Sequence, residues 1–297
     1  MGSTLVNIVD RVRRSTRLKL LLILGPPISY LAILFFAPFG LVVLYSFGLV
    51  DSTTKQLVFP PTVRWYEMTL TNISFLKVFA RTLGYSMLTT FLTLLLGYPA
   101  AYHISFKARR FRDTMLILFI IPFWVSFLLR TYGLMTMLSE SGIINTFLQQ
   151  MGVISQPLAL LHNDFAVVLG MAYNYLPLMV LPLYGSIGKL DRSLLEASAT
   201  LGAGPLTTFR KVTLPLTMPG ILAGTMLVFI PATGEFVIPS LMGGTQNYMI
   251  GQFIYEVWTA ARVPALGSAV GLLFIAFVVV VLLVLVRYSK VEEAVVF

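Results

Sequence analysis

Six long apolar runs constrain this chain more than anything else in it. They lie at about Leu20–Tyr45, Phe79–Ile104, Thr114–Leu138, Phe165–Ile187, Pro219–Met242 and Ala265–Arg287. Each is long enough to cross ~30 Å of bilayer hydrocarbon, which takes ~20 residues of helix. Hydrocarbon offers the backbone no hydrogen-bond partner, so only helices or a closed barrel can span it. Barrel strands alternate apolar and polar residues over ~10-residue stretches. These runs do not alternate, so the chain reads as an all-α polytopic membrane protein with six transmembrane helices. Composition agrees: hydrophobic residues make up 57% of 297 and charged residues only 11%, where a soluble domain carries ~25% charged. Arg11, Arg13, Arg14, Arg17 and Lys19 precede the first run, as in a secretory signal. That run is too long for a signal core and offers no small-x-small cleavage site, so it reads as a retained helix.

Lys and Arg are distributed unevenly between the two ends of these runs. One side holds the five N-terminal basic residues, Lys107, Arg109, Arg110 and Arg112, then Lys189, Arg192, Arg210 and Lys211, and finally Arg287 and Lys290. The other side holds only Lys55, Arg64, Lys77 and Arg262. The positive-inside rule therefore predicts that both termini are cytoplasmic. The net charge of +9 follows from that topology and is no nucleic-acid footprint. The 107–112 cluster reads as a stop-transfer and lipid-headgroup signal.

Chemistry-bearing motifs are missing. The chain has no cysteine, hence no disulfide or thiolate metal site. It has no GxxxxGK[ST] phosphate loop and no HExxH. No nucleophile–base constellation stands out, so no catalytic residue is assigned. His103 and His162 fall at opposite membrane edges, so no metal site is expected.

The segment Glu196–Pro215, EASATLGAGPLTTFRKVTLP, is polar and helix-forming, and the charge count puts it in the cytoplasm. Ser193 and Glu196 have the spacing of a capping box. Gly202 ends a short helix, and Pro205 follows. A second short segment, ended by Leu214-Pro215, would complete a compact knob. An amphipathic helix lying on headgroups is the alternative. The pattern Glu196-Ala197-Ser198, three residues, Gly202, nine residues, Val212, one residue, Leu214-Pro215 resembles the EAA loop of bacterial ABC-importer permeases. Ser198 replaces an Ala of that pattern and Val212 an Ile.

The resemblance implies a type I ABC-importer permease in a bacterial inner membrane, a single transmembrane domain over residues 1–297. Residues 1–19 would be its basic cytoplasmic N-terminus and 188–218 its coupling loop. In that family the loop docks into an ATPase, which implicates Glu196, Ala197, Gly202, Leu214 and Pro215 in coupling. The implied partners are two ATPase copies, a paralogous second permease and an extracytoplasmic solute-binding protein. ATP and magnesium would belong to the ATPase, with no cofactor in this chain. Gly220–Pro239, Leu241-Met242-Gly243-Gly244, Tyr98-Pro99-Ala100-Ala101-Tyr102 and Ile121–Tyr132 are similar to spermidine/putrescine importer permeases. Permeases for opines, other amines, ferric iron, sulfate and thiamine share the architecture. A self-sufficient secondary carrier is the reading from another class.

Arg81, His103 and Arg287 lie at the ends of their runs, whereas Arg130 in the third and Glu235 in the fifth lie well inside theirs. Charge at such depth costs at least ~2.5 kcal/mol, so it usually faces a cavity or a partner. Arg130 and Glu235 each lie sixteen residues from the cytoplasmic start of their runs, roughly 24 Å up a straight helix. Two readings stay open: an Arg130–Glu235 ion pair, or a Glu235 that faces the pathway and meets a cationic substrate. Trp124, Tyr132 and Tyr173, with Tyr85, Tyr175 and Phe236, are candidate aromatic faces for ammonium groups. Asn174 would offer neutral polarity to the path or an interhelical hydrogen bond.

Overall fold

The computed structural model describes residues 16–51, 54, 56, 58–106, 111–244 and 248–295. Arg11, Arg13, Arg14, Lys55, Lys107, Arg109 and Arg110 lie outside the described residues. In chain order the helices are α1 (Thr16–Ser46), α2 (Arg64–Thr71), α3 (Ile73–Phe106), α4 (Arg112–Trp124), α5 (Phe127–Leu138), α6 (Ile143–Gln150), α7 (Asp164–Ile187), α8 (Arg192–Thr200) and α9 (Pro205–Thr208). A π-helical turn, Phe209–Thr213, leads into α10 (Leu214–Thr233), followed by α11 (Val237–Met242), α12 (Ile250–Thr259) and α13 (Pro264–Val295). Five described helical stretches are long and apolar enough to cross a bilayer, and there are six if the bent pair Arg112–Trp124 and Phe127–Gln150 is one span.

The core is the triple contact of α3, α7 and α10. The central helix is α7, with Val167, Met171, Met179, Val180, Leu183 and Ile187 buried along its length. Its start is fixed by Asn163, whose side chain accepts from the Ala166 N–H at 2.8 Å. Two glycines one turn apart let α10 approach it closely. A Cβ at Gly220 would lie 2.4 Å from Ser186 Cβ and 2.9 Å from the Pro182 carbonyl oxygen; at Gly224 it would meet Met179 Sδ at 2.6 Å. In a membrane, helices associate through such small-residue packing because lipid is as apolar as a leucine side chain. On α3 a seam of small hydroxyls faces inward: Thr82, Ser86, Thr90 and Thr93. Each hydroxyl donates to a carbonyl one turn back, at 2.7–2.9 Å, so burial leaves none of them unpaired.

Around this core lies a looser layer. α1 packs on α13 and presents Tyr30, Leu31, Phe35 and Phe36 outward. Cluster Phe75, Ile250, Val257, Leu266, Val270 and Phe274 joins α12 and α13 to the start of α3.

Two of the six runs are not the continuous helices their hydropathy predicts. The third breaks after Trp124 and turns by 95° into α5, two residues beyond Pro122. The fifth begins earlier than Pro219, as Pro205–Thr233 through the π turn. It stops at Thr233, so Glu235 lies in a break before α11. Hydropathy is blind to such breaks because each is only two or three residues long between apolar flanks. The straight-helix depth reckoning for Arg130 therefore fails, since its helix changes direction below it.

Candidate functional site

The loop after α7 folds as a two-armed knob. Its first arm, α8, is capped by Asp191, whose carboxylate accepts from the Ser193 N–H at 2.9 Å. That backbone hydrogen bond holds the Asp191 carboxyl below the usual carboxylate range. The capping box expected at Ser193 and Glu196 is thus displaced by a better cap two residues earlier. Gly202 ends the arm in the left-handed region, at φ +78°. Its N–H donates to the Ala199 carbonyl at 2.9 Å, and the Ala203 N–H to the Ser198 carbonyl at 3.1 Å. Only glycine adopts this conformation without strain.

The second arm opens with Gly204 as N-cap and Pro205 at the first helical position, where its missing N–H costs nothing. It does not stop at Leu214-Pro215 as the sequence pattern suggests. The Leu214 N–H reaches back to the Phe209 carbonyl, and Pro215 falls in the first turn of α10. The π turn absorbs a proline that would otherwise break the ladder. Across the turn the Ser198 and Thr208 hydroxyls share a hydrogen bond at 2.9 Å, so the serine that departs from the EAA pattern straps the arms together. Glu196 and Ala197 are exposed on the first arm. Leu201, at the turn between the arms, is 87% exposed; Leu206 on the second arm and Leu194 on the first are exposed too. The sequence pattern assigns these leucines no role.

Glu235 is 7% exposed and fully engaged. One carboxylate oxygen accepts from the Tyr175 hydroxyl of α7. The other accepts from the N–H groups of Phe236 at 3.1 Å, Val237 at 2.9 Å and Ile238 at 3.3 Å. These are the orphan donors at the start of α11. The turn is seated on α12: a Cβ at Gly251 would meet the Gly234 and Glu235 carbonyl oxygens at 2.7 and 2.9 Å. One turn along α12, Tyr255 stacks on Phe236 with ring centroids 5.4 Å apart.

Arg130 lies elsewhere, in the packing between α5 and α7. It is 9% exposed, its Nη1 donates to the Asn174 backbone carbonyl at 3.4 Å, and its guanidinium lies 5.2 Å from the Phe123 ring centroid. The ion pair with Glu235 is absent. Asn174, 1% exposed, makes the interhelical bond: its amide donates to Thr131 Oγ1 at 3.3 Å and to the Gly170 carbonyl at 3.0 Å. Trp124, Tyr132 and Tyr173 stay exposed, and no hydrogen bond or ring contact among the described residues joins them to Glu235. Among the described residues no group of three or more His, Asp or Glu gathers as a metal-ligand set.

Comparison with known proteins places this arrangement. The family described as "Binding-protein-dependent transport system inner membrane component" matches residues 93–290, from within α3 through the knob to α13. The chain is 38% identical over 262 residues to the "Spermidine/putrescine transport system permease protein PotB" of Haemophilus influenzae, covering 88% of this chain and 91% of that protein. It is 40% identical over 240 residues to the protein of the same description from Escherichia coli, covering 81% and 86%. In fold it is similar to a chain of a bacterial alginate ABC transporter, at a TM-score of 0.69 with 17% identity over 95% and 96% of the two chains. The chain therefore belongs to the family of binding-protein-dependent transport system inner membrane components.

Proposed function

We propose that this chain is the permease subunit of an ATP-driven importer of polyamines. It forms half of the translocation pathway, and a paralogous permease forms the other half. Two ATPase copies dock under the pair, and an extracytoplasmic binding protein delivers the solute. ATP and magnesium act in the ATPase, and this chain contributes no catalytic group. The polyamine assignment rests on the two relatives named for spermidine and putrescine. The uneven Lys/Arg distribution supports an orientation with the knob and both termini in the cytoplasm.

The observation that carries the coupling role is the knob itself. A polar, two-armed hairpin, strapped by Ser198–Thr208 and turned at Gly202, holds out Leu201 and Leu206 where water would otherwise meet them. Large exposed leucines on a polar-sided projection fit a docking surface. The test is co-purification of the ATPase through this chain. Leu201→Asp should abolish ATPase retention while the permease pair stays in the membrane; undiminished retention would remove the coupling role from the knob.

A further inference from the structure

We propose that Arg192 is the positioning residue that carries the movement of the knob into α3. The inference rests on reading the knob as the coupling element. Arg192 is the first residue of α8, and its Nη2 donates to the Phe106 carbonyl at 2.6 Å. Phe106 is the last residue of α3, so this carbonyl is one that the helix itself leaves unpaired. The guanidinium also lies 5.1 Å from the Phe106 ring centroid. A cation at a helix C-terminus meets the negative end of the dipole. Hydrogen bond, ring face and dipole thus all favour the same placement of one side chain.

The mirror contact shows that the tie is part of a crossed clasp. Arg112, first residue of α4, donates through Nε to the Tyr184 hydroxyl near the end of α7 and lies 4.8 Å from that ring centroid. Each arginine begins the helix that follows one inner span and grips the end of the other. α8 follows α7 and holds α3; α4 follows α3 and holds α7. The second arm of the knob is tied to α3 as well. Phe209 packs edge-on against Tyr98 with centroids 5.5 Å apart, and the Tyr98 hydroxyl shares a hydrogen bond with Thr217 at 2.9 Å. Both arms therefore bear on α3. Arg192 is the contact of the first arm, and a push on the knob reaches α3 through it.

The test uses the whole complex, with ATPase, second permease and binding protein, in proteoliposomes. Spermidine uptake and ATP hydrolysis are measured on the same vesicles. Arg192→Ala should keep the ATPase bound and hydrolysing while spermidine moved per ATP falls about tenfold, the effect of losing a charge-assisted hydrogen bond from one state of the cycle. Arg192→Lys, which restores a charged donor without the planar face, should recover most of that ratio. An unchanged ratio in Arg192→Ala would overturn the proposal. So would uptake and hydrolysis that fall in step with complex yield and are not rescued by lysine, which would mark Arg192 as merely structural. Phe106→Leu covers the case in which Arg192→Ala does not assemble: it keeps the carbonyl but removes the ring, and should lower the same ratio severalfold. An unchanged ratio there also counts against the proposal. Leu201→Asp separates the two claims. If it leaves ATPase retention intact, the coupling reading fails; if it abolishes retention while Arg192→Ala transports normally per ATP, only the role of Arg192 fails.

Discussion

The Tyr175 hydroxyl of α7 donates to the Glu235 carboxylate in the break between α10 and α11. With the three N–H groups at the start of α11, it occupies both carboxylate oxygens. The acid inside this membrane domain thus joins two spans through hydrogen bonds and leaves Arg130 to the carbonyl of Asn174 and the ring of Phe123.

Substitutions at Glu235 should separate capping from charge. Glu235→Ala strands the Tyr175 hydroxyl and the α11 N–H groups and should cost roughly 2 kcal/mol of stability. Glu235→Gln keeps an acceptor for the N–H groups and should cost about 1 kcal/mol or less. Since no contact joins the two residues, Glu235→Gln and Arg130→Gln should add to within ~0.5 kcal/mol. Denaturation of the purified complex compares the wild type, the three single variants and the double variant. Rescue of one substitution by the other would show that the two charges are paired after all.

Gly202 tests the turn of the knob. A Cβ there meets nothing within 4 Å, so the cost of substitution lies in the backbone conformation alone. Gly202→Ala should loosen the knob by about 1 kcal/mol, seen as roughly fivefold faster amide exchange over residues 198–208. Gly202→Asn, which tolerates the left-handed region, should exchange more slowly than the alanine variant. Equal exchange in wild type and both variants would mean that the turn does not order the loop.

The close approach of α7 and α10 predicts a graded pair. Gly220→Ala drives a methyl into Ser186 Cβ and the Pro182 carbonyl, neither of which can move without its helix, and should cost about 1–3 kcal/mol. Gly224→Ala presses on the flexible thioether of Met179 and should cost less. Thermal stability of the complex ranks them, and the reverse order would mean that the helices separate freely at Gly220.

The orientation has its own check. The native chain has no cysteine, so Ala203→Cys and Ser155→Cys report without background. Ala203→Cys should react with a membrane-impermeant maleimide only from the cytoplasm and Ser155→Cys only from outside. Outside labelling at Ala203→Cys would invert the topology.

The spans and the knob were legible in the sequence because each rests on local composition: long apolar runs, a Gly followed by a Pro, and a fixed spacing of small residues. What was not legible depends on residues far apart in the chain. The break after Trp124 is only two residues, Val125 and Ser126, between apolar flanks. Asp191 took the cap from Ser193 because its carboxylate lies nearer the true start of α8. Glu235 looked free to pair with Arg130 because nothing in its own run announces Tyr175, sixty residues away. Arg192 read as topology charge, since its partner is a backbone carbonyl on another span.

ATP-dependent spermidine uptake by the reconstituted complex tests the central claim most directly. ATP is supplied on the knob face, and spermidine with its binding protein on the other. The account predicts uptake that requires ATP, the ATPase and an intact Leu201. Spermidine transport by this chain without the ATPase, or full ATP-driven uptake by the Leu201→Asp complex, would contradict it.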